Sequence, residues 1–111
     1  MRGKRPNWLI RAASLAAIAV ASAWSSGAQA QVRDARMCAT QVEDLANERI
    51  AACARLLQSS RLRGKPAGVA YGLRGLAYLD RGDIAHAIAD LNQAVALAPD
   101  FAPAYQNRGN A

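Results

Sequence analysis

The stretch GVAYGLRGLA at residues 68–77 returns as APAYQNRGNA at residues 102–111, and this repetition decides the fold. The two segments are 34 positions apart (102 − 68 = 34) and agree at five of ten residues, where chance gives about one. The identical pairs are Ala70/Ala104, Tyr71/Tyr105, Arg74/Arg108, Gly75/Gly109 and Ala77/Ala111. A fixed period of this length indicates a repeat architecture.

The residues between the two copies follow the spacing of a known helical repeat. They read Tyr71-x2-Arg74-Gly75-x2-Tyr78, then Gly82-Asp83, Ala87-x3-Leu91, Ala94 and Pro99. This pattern resembles the tetratricopeptide repeat, except that Arg74 replaces the usual leucine and Leu91 the usual aromatic residue. The resemblance implies an all-α fold of helix-turn-helix repeats, an α-solenoid, with one complete unit at residues 68–101. Residues 102–111 would be the truncated start of the next unit.

Local chemistry also predicts a helical hairpin. Pro66 favours a helix start near residue 67, Gly82 suits the left-handed end of that helix, and Asp83 suits the cap of the next. The second helix is expected over residues 84–97, before Pro99.

Two stripes at i, i+4, i+7 spacing should face each other in this hairpin. They consist of Tyr71, Gly75 and Tyr78 on the first helix, and of Ala87, Leu91 and Ala94 on the second. Gly75→Leu should therefore overpack the contact, whereas Gly72→Ala, expected on the opposite side, should be tolerated.

Residues 31–67 are predicted to form an N-terminal helical segment with a degenerate repeat. The stretch NERIAACARLL at residues 47–57 resembles the second helix of a preceding unit, with Ile50, Cys53 and Leu56 in the places of repeat residues 38 positions later. Because such arrays need about three units for stability, two interpretations remain open. The chain is a binding scaffold, or it is a truncated fragment or the N-terminal module of a larger protein whose functional part is absent.

The N-terminus has the three parts of a secretory signal. Basic residues precede an apolar stretch at residues 12–24, which ends in the small residues Ala28-Gln29-Ala30. A membrane anchor is the alternative, but a span needs about 20 apolar residues and this stretch has 13. We expect cleavage of residues 1–30, no stable membrane anchor afterwards, and a periplasmic or secreted protein.

Export would place Cys38 and Cys53 in an oxidising compartment, which favours a disulfide between them. A disulfide needs a chain reversal between them, which we expect near residues 46–48, with Asn47 as a helix cap and Thr40-x-x-Glu43 as an earlier capping box. The alternative is that Cys53 is a buried apolar residue. Two sulfurs without nearby histidines do not predict a metal site.

Catalytic and nucleic-acid functions are not predicted. The chain lacks a nucleophile with a base, a metal set and a phosphate loop, and no cofactor is expected. His86, the only histidine, is expected on the surface without a partner residue. The net charge of +6 comes mainly from the N-terminus, and the basic residues Arg61, Arg63 and Lys65 fit a solvated loop.

The family resemblance implies a concave groove, lined by the first helix of each repeat, that holds a protein or peptide. In the complete unit the groove would consist of Val69, Gly72, Leu73, Leu76, Leu79 and Asp80, and in the next unit of Gln106, Asn107 and Asn110. The alternative is that the leucines only pack on the preceding helices.

Overall fold

The computed structural model describes residues 27–59 and 62–101. The chain forms two compact units, Met1–Gln31 and Val32–Ala111. Of the first unit, only residues 27–31 are described, and they are helical and exposed. Most of the predicted signal segment therefore lies outside the described residues. Within the described part, no helix is both long and apolar enough to cross a membrane.

Four helices account for most of the described chain, and those residues contain no strand. Helix α1 covers residues 27–39, and a short 3-10 turn follows at Glu43–Leu45. The others are α2 at Ala46–Gln58, α3 at Gly64–Asp80 and α4 at Ile84–Leu97. The all-α prediction is confirmed for this part of the chain.

The turn between α3 and α4 forms as the sequence predicts. Gly82 has a φ of 81°, in the left-handed region that glycine adopts without strain. The Asp83 carboxylate accepts a hydrogen bond from the backbone N–H of His86 and caps α4. Helix α3, however, begins at Gly64 rather than near residue 67. Pro66 then lies in the first turn, where its missing N–H breaks no intrahelical bond.

Helices α3 and α4 pack through small residues. Ala87, Leu91 and Ala94 are fully buried, and a Cβ placed on Gly75 would lie 3.0 Å from Leu91 Cγ. The predicted contact between the two stripes is therefore present.

The placement of Gly72 away from this contact is wrong. Gly72 is buried, and a Cβ there would lie 2.6 Å from Phe101 Cε1 and 3.4 Å from Ala94 Cβ. The physical reason is helix geometry, since residues three apart lie on nearly the same face and Gly72 therefore follows Gly75 into the hairpin contact.

The contacts of Arg74 explain why an arginine can replace the leucine that is usual in the tetratricopeptide pattern. Its Nε and Nη2 donate to the two carboxylate oxygens of Asp90 at 2.7 and 2.8 Å, which ties α3 to α4. The rings of Tyr71 and Tyr78 lie within 6.0 Å of the guanidinium carbon. The hydrogen bonds to Asp90 raise the pKa of Arg74. An ion pair therefore fills the place where the repeat usually has an apolar leucine.

Helices α1 and α2 are joined by the predicted disulfide between Cys38 and Cys53, whose Cα atoms are 4.8 Å apart. Both cysteines are buried with Ala52, and the partly buried Leu73 of α3 packs against this cluster. The bond thus lies where α1, α2 and α3 meet.

The chain reversal that permits the disulfide is not at residues 46–48, where we expected it. It lies at residues 40–45, because α1 ends at residue 39 and α2 already begins at Ala46. Neither predicted cap forms, since no side chain caps the 3-10 turn or α2. The Asn47 side chain instead accepts a hydrogen bond from Arg81 Nη1 at 3.0 Å.

Candidate binding cleft

A cleft of about 290 Å³ opens between the reversal at residues 40–45, the first turn of α2 and the C-terminal end of α3. It is lined by Gln41, Glu43, Arg49, Leu76, Leu79 and Asp80. Three of these residues come from α3, two from the reversal and one, Arg49, from the first turn of α2. The cleft therefore exists only because α2 packs beside α3.

Arg49 is the most buried charged side chain of the cleft, with 1% of its surface exposed. Its Nη1 lies 2.5 Å from Asp80 Oδ2 on α3 and donates a longer bond, 3.4 Å, to the carbonyl oxygen of Val42. The guanidinium thus connects α2 both to the reversal and to α3.

The Nε of Arg49 is buried and has no hydrogen-bond partner among the described residues. A buried donor without an acceptor costs about 1–3 kcal/mol. Burying an ion pair also costs desolvation energy, and an apolar pair of similar size is often equally stable. Stability alone therefore gives little reason for an arginine at this position.

The remaining lining combines apolar and polar groups. Leu76 and Leu79 are half-buried, whereas Gln41 and Glu43 are exposed at the mouth. Because Asp80 is engaged by Arg49, Glu43 is the lining carboxylate without an ion-pair partner in the described part of the chain. The arrangement provides a mainly polar surface, with a smaller apolar part from the two leucines, beside one available negative charge.

The predicted groove residues of the complete unit do not form a single surface. Leu76, Leu79 and Asp80 line the cleft. Leu73 packs on the disulfide cluster, which agrees with the packing alternative, and Gly72 is buried against Phe101. Val69 is half-buried outside the cleft lining. Gln106, Asn107 and Asn110 lie outside the described residues.

Sequence reasoning missed Gln41, Glu43 and Arg49. For Arg49 a signal was available, since it shares one face of α2 with Ala52, Cys53 and Leu56 at i+3, i+4 and i+7. A charged residue in an otherwise apolar stripe indicates a buried ion pair. No comparable pattern marks Gln41 or Glu43, because their position depends on the path of the reversal.

A second polar cluster surrounds the turn between α3 and α4. His86 is exposed but has a partner, contrary to expectation, because its Nδ1 lies 2.8 Å from Asp83 Oδ2. Its ring also stacks on Tyr78, with centroids 5.0 Å apart. The side-chain hydrogen bond with His86 lowers the pKa of Asp83, and the bond from the His86 backbone adds to the effect. These contacts have a structural role as the cap of α4.

The family model described as "TPR repeat" matches residues 75–111, which include the end of α3 and the whole of α4. No curated protein and no solved structure matches the chain significantly. The matched part includes Leu76, Leu79 and Asp80, the three residues that α3 contributes to the cleft.

Proposed function

We propose that this chain, a tetratricopeptide-repeat protein, is an exported scaffold that binds a protein or peptide partner at the cleft beside α3. Repeats of this kind are typically non-catalytic and mediate contacts between proteins. The observation that carries the proposal is the cleft itself. It combines half-buried leucines with polar groups at an exposed mouth, a composition typical of surfaces that recognise side chains.

Export is the second part of the proposal, and it is supported by the sequence of the N-terminus. Intact-mass analysis of a periplasmic extract should detect a chain that begins at Gln31, after the small residues Ala28-Gln29-Ala30. A full-length chain confined to the cytoplasm would contradict export and would leave the binding proposal intact.

Binding at the cleft is tested by site-specific photo-crosslinking in the producing cells. A benzoylphenylalanine at Gln41, at the mouth of the cleft, should give a discrete adduct with another polypeptide. The matched control replaces Gln93, which is exposed on α4 and does not line the cleft. Equal adducts at both positions, or none at Gln41, would argue against a partner at this site.

A further inference from the structure

We infer that the cleft accepts a lysine or arginine side chain, so that the partner is a protein with an exposed basic residue. This inference rests on the proposed binding function and specifies the chemistry of the partner. It follows from the charge, the shape and the internal support of the cleft.

The charge of the cleft favours a cation. Its lining holds two carboxylates and one guanidinium, and Arg49 and Asp80 neutralise each other. Glu43 remains at the mouth, and the neighbouring Asp44 and Glu48 are also exposed, without ion-pair partners among the described residues. The nearby cation Arg81 is engaged by Asn47 and lies 3.6 Å from Asp83. The exposed carboxylates of Glu43, Asp44 and Glu48 would attract a basic partner and repel an acidic one.

The shape suits one long side chain. A volume of about 290 Å³ is at the lower limit of pockets that hold drug-sized ligands, so it suits a single side chain better than a larger group. Leu76 and Leu79 offer apolar surface for the methylene stem of a lysine or arginine. Such side chains bury the stem and keep the charged end at the water boundary, where Glu43 lies.

Arg49 supports the walls of the cleft from within. It binds Asp80 on one side and the Val42 carbonyl on the other, while its own Nε lacks a partner. Because an apolar pair of similar size is often equally stable, the contacts of Arg49 matter here mainly for the position that they give to the cleft walls. Arg49 is therefore a positioning residue for the site.

The probe is the tripeptide acetyl-Gly-Lys-Gly-amide, titrated into the full chain and followed by amide NMR shifts. We expect saturable shifts at Glu43, Leu76 and Leu79, and weaker binding as salt is added. The same tripeptide with norleucine keeps the stem and lacks the charge, so it should bind more weakly. Equal binding of both tripeptides, or no saturable shifts with the lysine probe, would overturn the inference.

Two variants separate the charge of the cleft from the charge of the whole protein. Glu43→Gln should weaken lysine binding about two- to fivefold, the range for an exposed ion pair. Asp100→Asn removes the same charge beside Lys65, at the other end of α3, and should leave binding unchanged. If both variants bind the lysine probe as the unaltered chain does, the inference is wrong.

The crosslinking experiment distinguishes a failure of the basic-partner inference from a failure of the proposed binding function. If the Gln41 adduct persists and the lysine probe fails, the scaffold function stands and the basic partner does not. If the Gln41 adduct is absent, the proposed function itself fails.

Discussion

The two faces of α3 are held by different kinds of interaction. Towards α4, glycines and alanines bring the backbones together, and a bidentate ion pair between Arg74 and Asp90 ties the helices. Towards α2, the contact depends on the disulfide cluster under Leu73 and on the ion pair between Arg49 and Asp80.

The face of α3 towards α4 is closely packed, whereas the face towards α2 leaves room for a ligand. The contact with α4 is so close that an added Cβ at Gly68 or Gly75 would lie about 3 Å or less from atoms at the C-terminal end of α4 or within it. The contact with α2 instead leaves the cleft open. The first arrangement stabilises the hairpin, and the second is compatible with binding.

The largest expected effect concerns the disulfide. Replacing both Cys38 and Cys53 by alanine should lower the free energy of unfolding by about 3 kcal/mol, because the bond closes a loop with a sequence separation of 15. Hydrogen exchange should show lost protection in α2 and retained protection in α3 and α4. Equal loss of protection in all three helices would mean that the contacts of α3 with α2 and with α4 are not independent. Reductant should have no further effect on the double variant.

A slightly smaller effect is expected at the ion pair. Asp80→Ala should cost about 2–3 kcal/mol in urea denaturation, because the buried Arg49 loses its counter-charge. This range lies below the usual cost for buried pairs, since the Asp80 side chain is 34% exposed and partly screened. The double variant Arg49→Met with Asp80→Ala should recover most of the loss. A double variant as unstable as Asp80→Ala would show that Arg49 stabilises the fold in its own right.

On the other face of α3, substitutions at Gly68 and Gly72 provide a matched comparison. Gly68→Ala should destabilise by about 1–2 kcal/mol, because its Cβ would lie 2.8 Å from the backbone nitrogen of Ala98. Gly72→Ala meets only the ring of Phe101, which can turn away, so the gain in helix propensity should hold the change within about 0.5 kcal/mol. Thermal denaturation of both variants provides the comparison. Similar midpoints would mean that the backbone contact at Ala98 is not close.

The smallest effect is the pH dependence of the cap on α4. Because the pKa of Asp83 is lowered in the folded chain, its stabilisation is complete above the ordinary aspartate value of 3.8. The stabilisation is lost as the pH falls through the lower, folded-state value. Asp83→Asn keeps a capping oxygen without this titration. Urea denaturation should therefore show a difference in stability between the two chains that changes as the pH falls through the folded-state value.

The sequence by itself determined the hairpin. The 34-residue period, Gly82, Asp83 and the small-residue stripe predicted α4 at residues 84–97, its cap, and the contact around Gly75. These features could be predicted because each depends on residues that are close to one another in the sequence. The disulfide was also predicted, from its two cysteines and the expected compartment, although the reversal beside it was misplaced by several residues.

The cleft was decided by the tertiary structure alone. The residues that α3 contributes lie 27 to 39 positions along the chain from the other three. The shortest separation is from Arg49 to Leu76 and the longest from Gln41 to Asp80. No local pattern links Arg49 to Asp80, since their meeting depends on how α2 lies against α3. Side chains on one helix are related by its fixed 3.6-residue period, whereas the distance between two helices depends on the packing of the whole chain.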